Sequence, residues 1–432
     1  MKMANMDDYF DVVIVGTGAA GLYCALNLPA RYRILLLTKQ KADESDSFLA
    51  QGGICMQHGE ADYRPFFDDT MRAGHYENNP ATVDLMIRSS NSIIRDLVRR
   101  GVRFARDDHG ALRFTREGAH SRARILFHED ITGHEITQPL LNEVLRCENI
   151  ELREHTTLLD FFADASACGG VIAAGPDGEP RAIGAGAVVL ACGGIGGLYK
   201  NSTNFPHITG DAIAMALRHG VACEHLDYIQ IHPTTLYSHR KGRRFLISES
   251  VRGEGALLLD KNGNRFTNEL QPRDVVSAAI RAQMEKDGTD HVWEDMRPIG
   301  DTDIREHFPN ILERCEEEGY DPIHEPIPVV PAQHYFMGGI TADLSSRTAL
   351  PRLYACGETC CNGVHGRNRL ASNSLLESLV FAQRAADDIL YGEPPVFTGD
   401  KPDLAPYREQ EPLFAAYRQE VLTAIERSKN HE

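Results

Sequence analysis

At 432 residues the chain is too long for one simple core, so two domains and a short extra segment are expected. A formal net charge of −17 argues against non-specific nucleic-acid binding and against an anionic membrane surface. No apolar run approaches the ~20 residues that cross a bilayer, and the stretch from Met1 to Phe10 is acidic rather than signal-like. Ten cysteines show no Cys-x-x-Cys pair, and Cys360 and Cys361 are adjacent; reduced thiols in a cytoplasmic protein, with no metal site, are the simplest account.

Asp11 to Val15 reads as a buried strand, followed at once by Gly16, Thr17, Gly18, Ala19, Ala20 and Gly21 and a helical stretch to Leu28. Arg33 to Thr38 is a second strand. A strand, a Gly-rich turn and a helix in this order place a pyrophosphate on a helix N-terminus. The acidic residue expected ~20 positions on for a ribose is replaced by Thr38 and Lys39.

Further along, Ser47, Phe48, Leu49, Ala50, Gln51, Gly52 and Gly53 form a run whose paired glycines allow close backbone approach to a flat ligand, or simply a turn. Ala81 to Arg100 has amphipathic helical spacing, Arg113 to Ser121 packs charge, Gly and His into a loop, and Ile131 to Leu145 is another helix. Strands ending in glycine recur at Ala187 to Gly194 and at Tyr354 to Gly357. Together with the first strand they imply one parallel sheet assembled from distant segments, with a ligand across the strand ends. Glu358 then becomes a candidate for the ribose contact that Lys39 cannot make.

The turn at Thr209, Gly210 and Asp211 precedes a helix from Ala212 to Gly220. Between Leu226 and Tyr335 short strands, turns and one clear helix (Val275 to Lys286) suggest an inserted α+β unit. His365 to Glu377 is a loop rich in Gly, Asn and Arg that runs into a helix with Leu375, Leu376, Leu379 and Val380 on one stripe. The N-terminus of that helix suits an anion or a ring that becomes anionic on reduction, and Arg369 beside it suits a carboxylate. After Gly392 the chain is Pro-rich, then helical from Leu413 to Ser428.

Five motifs now stand in order after the first Gly-rich turn: Ala50 to Gly53, His232 to Thr234, Arg252 to Gly255, Pro272 to Asp274, and Asn368 to Ser374. In this order they resemble the succinate dehydrogenase/fumarate reductase flavoprotein family. Within it, Thr115 to Ser121 is similar to the branch that oxidises L-aspartate to iminoaspartate for quinolinate and NAD synthesis.

The resemblance implies an α/β fold: a Rossmann-like FAD-binding domain (1–225 and 336–395), an inserted α+β capping domain (226–335), mobile over the active site, and a short helical C-terminal tail (396–432). That tail is shorter than the helical bundle of longer relatives. Thr17 to Ala20 are expected at the FAD pyrophosphate, Lys39 near the adenosine end and Ser47 to Gly53 around the cofactor, with Asp211, Glu358, Ser374 and Leu375 completing the site. Relatives that bind FAD covalently carry a His five residues before the Gln of Ala-Gln-Gly-Gly. Asp46 stands there, so the FAD is expected to be non-covalent.

The implied substrate clamps are His232, Ser248, His334 and Arg369. Arg273 is expected to carry proton transfer, with Glu249 and Arg252 as its relay; a structural ion-pair network is the competing reading, which residue chemistry alone does not separate. Glu117 is expected to pair with the substrate ammonium, against the plainer reading of an exposed Arg116–Glu117 surface pair. The implied reaction is hydride transfer from aspartate Cα to flavin N5, with reoxidation by O2 or fumarate and a functional link to quinolinate synthase. Arg367, where small residues are usual, is an extra cation that either tightens dicarboxylate binding or simply faces solvent. The rivals are a soluble fumarate reductase or succinate dehydrogenase-type flavoprotein, and, in a different class, a non-catalytic FAD-binding sensor or scaffold, which would keep the Gly-rich turns and lose the clamps.

Overall fold

The structure is a computed structural model that describes residues 8–240, 242–392 and 397–429. Residues 1–7, 393–396 and 430–432, at the ends of the expected segments, and the acidic stretch up to residue 7 lie outside the described residues.

Seven strands form the main sheet. Ile150–Arg153, Ile34–Leu37, Tyr9–Val15 and Pro180–Leu190 lie side by side in that order, all parallel. Pro180–Leu190 is long enough to take two further partners: Cys168–Ala174 antiparallel along its first half and Leu353–Ala355 parallel along its end. Thr157–Ala163 closes the edge beyond Cys168–Ala174.

The Tyr9–Val15 strand is near-continuously apolar because it is covered on both faces. Val12 and Ile14 enter one core with the helices Ala19–Asn27 and Ser374–Tyr391. Val13 and Val15 enter the other, beneath Asp211–Arg218 and the C-terminal helix Gln410–Lys429. The strand from Leu353 to Ala355 is thus the expected third member of one sheet, 163 residues after its neighbour ends at Leu190. The antiparallel pair Thr157–Ala163 and Cys168–Ala174 was not singled out from the sequence; in the second strand glycines and alanines carry little strand signal.

The chain between these strands builds a second unit. Its sheet is wholly antiparallel, in the order Ile229–Leu236, Ile327–Phe336, Val292–Asp295, Leu257–Leu259. It has its own core, including Ile247, Val276, Ile280 and Val329. The helix Arg273–Asp287 lies against the first strand, where Ser277 Oγ donates to Ile231 O at 3.1 Å.

Asp130, on the main-sheet side, caps a helix of this second unit. It accepts from Ile311 N at 2.7 Å and from Asn310 Nδ2 at 2.6 Å, at the start of Pro309–Glu317. The cap satisfies amide groups that a helix start leaves open. The C-terminal helix packs Tyr417, Val421 and Ile425 onto the main core, and Tyr417 Oη donates to Leu159 O at 2.7 Å. Among the described residues no helix is long and apolar enough to cross a membrane.

Candidate active site

One cavity runs from the ends of the parallel strands to the second unit, enclosing about 1710 Å³ of empty space, the solvent at its mouth included. Its lining is continuous from the Gly16–Gly18 turn at one end to Glu117, Arg273 and Arg369 at the other, so one space adjoins both the Gly-rich turn and the charged cluster.

Its inner arm is built on the first strand and turn. Gly21 fits against the Gly16 carbonyl, where an added Cβ would lie 1.9 Å from the oxygen; this brings the helix Ala19–Asn27 close to the strand end. Gly18, at the N-cap, supplies no side-chain acceptor, and the first turn holds no acid. The open N–H groups and the positive end of the helix dipole therefore face the cavity, as an anion site requires. Thr17 Oγ1, Ser45 Oγ and Gln51 Oε1 on the same wall are buried without a hydrogen-bond partner. Such orphans call for a polar ligand. The donor set fits FAD: a dipole for the pyrophosphate, hydroxyls and an amide for polar edges, and apolar walls at Val15, Leu49 and Leu375.

The expected cofactor residues divide on inspection. Gly16, Thr17, Gly18, Ala20, Lys39, Ser47, Leu49, Ala50, Gln51, Gly52, Gly53, Asp211, Glu358, Ser374 and Leu375 all line the cavity. Phe48 does not: from a turn its ring enters the core and meets His134 edge-on. The Ala19 amide, expected at the pyrophosphate, is already bonded to Ser47 Oγ at 3.0 Å. Gly21 serves packing rather than contact. Lys39 forms an ion pair with Asp211 and donates to His207 O at 3.0 Å, so it braces the wall. Glu358 lines the cavity while accepting from Phe336 N at 2.9 Å, and burial drives its carboxyl well up.

The outer arm gathers the expected substrate and proton-transfer residues from six separate segments. Glu117, His232, Ser248, Glu249, Arg273, His334 and Arg369 line one region. Arg273 begins its helix, donating Nε to Glu249 Oε2 at 2.5 Å and Nη1 to Gln230 Oε1 at 2.9 Å. Burial opposes the Glu249 charge, but Arg273 and Arg252 outweigh it and hold the carboxyl below its usual range. Arg252, expected in the relay behind Arg273, is not part of the cavity lining. It lies behind Glu249 at 4.0 Å, and its Nη1 donates to Glu269 O at 2.7 Å.

His232 and His334 sit with ring centres 5.0 Å apart. His232 Nδ1 lies 2.9 Å from Thr234 O, and His334 Nδ1 lies 2.7 Å from Thr203 Oγ1. Burial, then Arg273, push both imidazoles well down, which keeps them neutral. His232 Nε2 and Arg369 Nε are buried without partners. Arg369 stacks 4.5 Å over Tyr335 and donates Nη1 to Ser374 Oγ at 3.1 Å. Burial and the nearby Arg273 push it down to about 10; two buried cations that repel each other call for anions between them.

Glu117 is not the exposed partner of Arg116 but is 3% exposed, within the cavity wall. Ser250 Oγ donates to its Oε1 at 2.9 Å and Ser372 Oγ to its Oε2 at 2.6 Å. Burial, then Glu249, raise its carboxyl above the usual range. Among the described residues neither Glu117 nor Arg369 has an ion-pair partner. A lone buried carboxylate and a lone buried guanidinium in one cavity match a ligand with an ammonium and a carboxylate. Arg367 does not reach this region: it lies 3.7 Å from Glu77 and stacks on Tyr228 outside the lining.

Several functional residues were not singled out from the sequence. Gln230 ties Arg273 to the Arg369 loop by donating to Asn368 Oδ1 at 2.8 Å and Arg369 O at 2.7 Å. Its place two residues before His232 on one strand is the signal that marks it. Thr203, Ser372 and Tyr335 line the cavity and Ser250 lies behind Glu117; Ser372 falls within the Asn368–Ser374 motif, but the motif does not single it out from its neighbours.

A family model described as FAD binding domain matches residues 11–375. The chain is 48% identical over 380 residues to the L-aspartate oxidase of Clostridium perfringens, covering 88% of this chain and 86% of that relative. It is 44% identical over 442 residues to the L-aspartate oxidase of a Nostoc species, covering 98% and 76%. Among solved structures, a quinol–fumarate reductase with menaquinol molecules matches with a TM-score of 0.84 at 32% identity, over 95% of this chain and 75% of that one. The open conformation of a flavocytochrome c3 fumarate reductase, 23% identical, shares the fold with a TM-score of 0.71 over 89% and 79%.

Proposed function

The chain belongs to the FAD-binding-domain family, among the L-aspartate oxidases, and we propose that it oxidises L-aspartate to iminoaspartate with non-covalent FAD. The observation that carries the substrate is the pair of unmatched charges: Glu117 for the ammonium and Arg369 for a carboxylate. His232, Ser248 and His334 supply the remaining donors, so both acid ends of a four-carbon molecule are gripped.

FAD, when bound, supplies the acceptor for the hydride that leaves Cα. Everything else falls to the chain. Glu117 orients the amine so that only one face of Cα turns inward. Arg273 is held by Glu249 and Gln230 with Nη2 unbonded to any described residue, at the substrate end of the cavity. Before the C=N bond can form the substrate nitrogen must give up one N–H proton; Arg273 takes that proton as it hands one of its own through Nε to Glu249 Oε2, with Arg252 behind Glu249. Neutral His334, with Nδ1 accepting from the Thr203 hydroxyl, keeps Nε2–H for a carboxylate, and neutral His232 does so in the tautomer whose Nδ1 accepts from Thr234 N at 3.2 Å, so neither adds a third or fourth buried cation. The second unit and the main sheet together wall off water, and their relative motion gates exchange.

Fumarate fits the same carboxylate clamps, so the two electrons leave to fumarate, giving succinate, or to O2, giving hydrogen peroxide. Iminoaspartate is the substrate of quinolinate synthase, which places the protein at the head of NAD synthesis. Ten cysteines, none bridged, support a reducing, cytoplasmic setting.

A dicarboxylate reductase is the second reading, favoured by the fold shared with the fumarate reductases. Glu117 favours the oxidase, since succinate offers that carboxylate nothing. Anaerobic addition of substrate to the yellow holoenzyme tests both: bleaching by L-aspartate and not by succinate supports the oxidase, and bleaching by succinate alone refutes it.

A further inference from the structure

The hydrogen bonds around Glu117 have a direction. Gly53 N donates to Ser372 Oγ at 3.2 Å, which leaves the Ser372 proton for Glu117 Oε2, 2.6 Å away. Ser372 holds this position at a φ of 61°, left-handed for a residue with a Cβ. Two further contacts keep it there. Its carbonyl accepts from Cys55 N at 3.0 Å, and the preceding carbonyl, Ala371 O, lies 3.0 Å from His120 Nε2.

His120 is itself fixed. Its Nδ1 faces Arg124 Nη1 at 2.8 Å, and a guanidinium only donates, so Nδ1 accepts and Nε2 carries the proton that reaches Ala371. Arg124 is fully buried between Asp62 at 3.0 Å and Asp69 at 2.8 Å. The loop that carries Glu117 and the loop that carries Arg369 are therefore locked together twice.

We propose that Ser372 is a positioning residue for the amine end of the substrate: its hydroxyl, directed by the Gly53 amide and held from behind by the His120–Ala371 contact, turns the Glu117 carboxylate into the cavity. This rests on the reading that Glu117 receives the ammonium. Gly52 opposite leaves the space the carboxylate needs, for an added Cβ would sit 2.7 Å from Glu117 Oε1.

The test uses flavin-loaded S372A, S372G, E117Q and the double variant E117Q/S372A, with kcat and KM measured for L-aspartate oxidation and for fumarate reduction by a reduced dye. Both Ser372 variants are expected to raise KM for L-aspartate about tenfold or more, with a smaller change in kcat and a several-fold smaller loss for fumarate. Adding S372A to E117Q should cost little more than E117Q alone, because the two act as one unit. Equal losses on both substrates, or the same loss from S372A in either background, overturn the proposal. Should S372A fail to load FAD, S372G, which accepts the left-handed backbone freely, gives the result. If neither loads, Ser372 serves the cofactor and the proposal is wrong. Aspartate kinetics untouched by E117Q would instead bring down the underlying reading of Glu117, a distinguishable failure.

Discussion

Arg273 Nε donates to Glu249 Oε2 at 2.5 Å, so the residue at the substrate end of the cavity is oriented by a carboxylate from the neighbouring short helix Glu249–Gly253. The pairing commits one edge of the guanidinium and leaves the other for substrate. Lys at this position has no fork with which to hold Glu249, Gln230 and a substrate at once. R273K is expected to lower kcat for L-aspartate by about 10²–10⁴ with a much smaller change in KM, as removal of a proton-transfer group does. Steady-state kinetics check this; a loss confined to KM would assign Arg273 to binding alone.

Asp46 lines the cavity with one oxygen accepting from Phe205 N at 2.9 Å and the other without a partner. Burial pushes its carboxyl up to about 7. A carboxyl does not replace the imidazole that forms the covalent flavin link in relatives. Acid precipitation of the holoenzyme is therefore expected to leave yellow flavin in the supernatant and a colourless pellet. A coloured pellet would overturn the assignment.

Much of this was readable from residues that act locally. The first strand, the Gly16–Gly21 turn and the following helix form one uninterrupted unit, and their apolar spacing alone fixes their order. The helix at Ser374 was readable for the same reason. The surroundings of Phe48 and Ala19 were not readable, because a run of neighbours does not say which side chains turn into the core or which amides are already bonded.

Contacts across the chain were out of reach by any spacing rule. Gln230 meets Arg273 at a separation of 43 residues, and Ser372 meets Glu117 at 255. The first depends on how the Arg273–Asp287 helix packs on the Ile229–Leu236 strand within the second unit, and the second on how two distant loops of the main unit meet. Glu117 was readable as a candidate, but its burial was not, since Arg116 beside it suggests a surface pair.

Glu294 offers a stability test away from the cavity. It lies fully buried on the Val292–Asp295 strand with both oxygens unpartnered. Burial pushes it up to about 8, with Arg252 opposing and Glu269 adding. A carboxyl raised above its unfolded value holds its proton longer in the folded state, so its stabilising contribution is present at low pH and is lost as pH rises toward 8. Stability from urea unfolding should fall between about pH 5 and pH 9, and E294Q should reduce that fall by a few kcal/mol, since each tenfold difference in proton affinity between the folded and unfolded states is worth about 1.4 kcal/mol. An identical fall in E294Q would show that Glu294 finds a partner in solution.

The central claim is that Glu117 binds the ammonium that distinguishes aspartate from succinate and fumarate. E117Q removes the charge and keeps the shape. The ratio of kcat/KM for aspartate oxidation to that for fumarate reduction, compared between E117Q and the unaltered protein, measures that interaction directly. The account predicts a fall in this ratio of about tenfold or more, as for a lost buried charge pair worth ~1.4 kcal/mol or above. A ratio that stays the same, with both activities falling together, would contradict it.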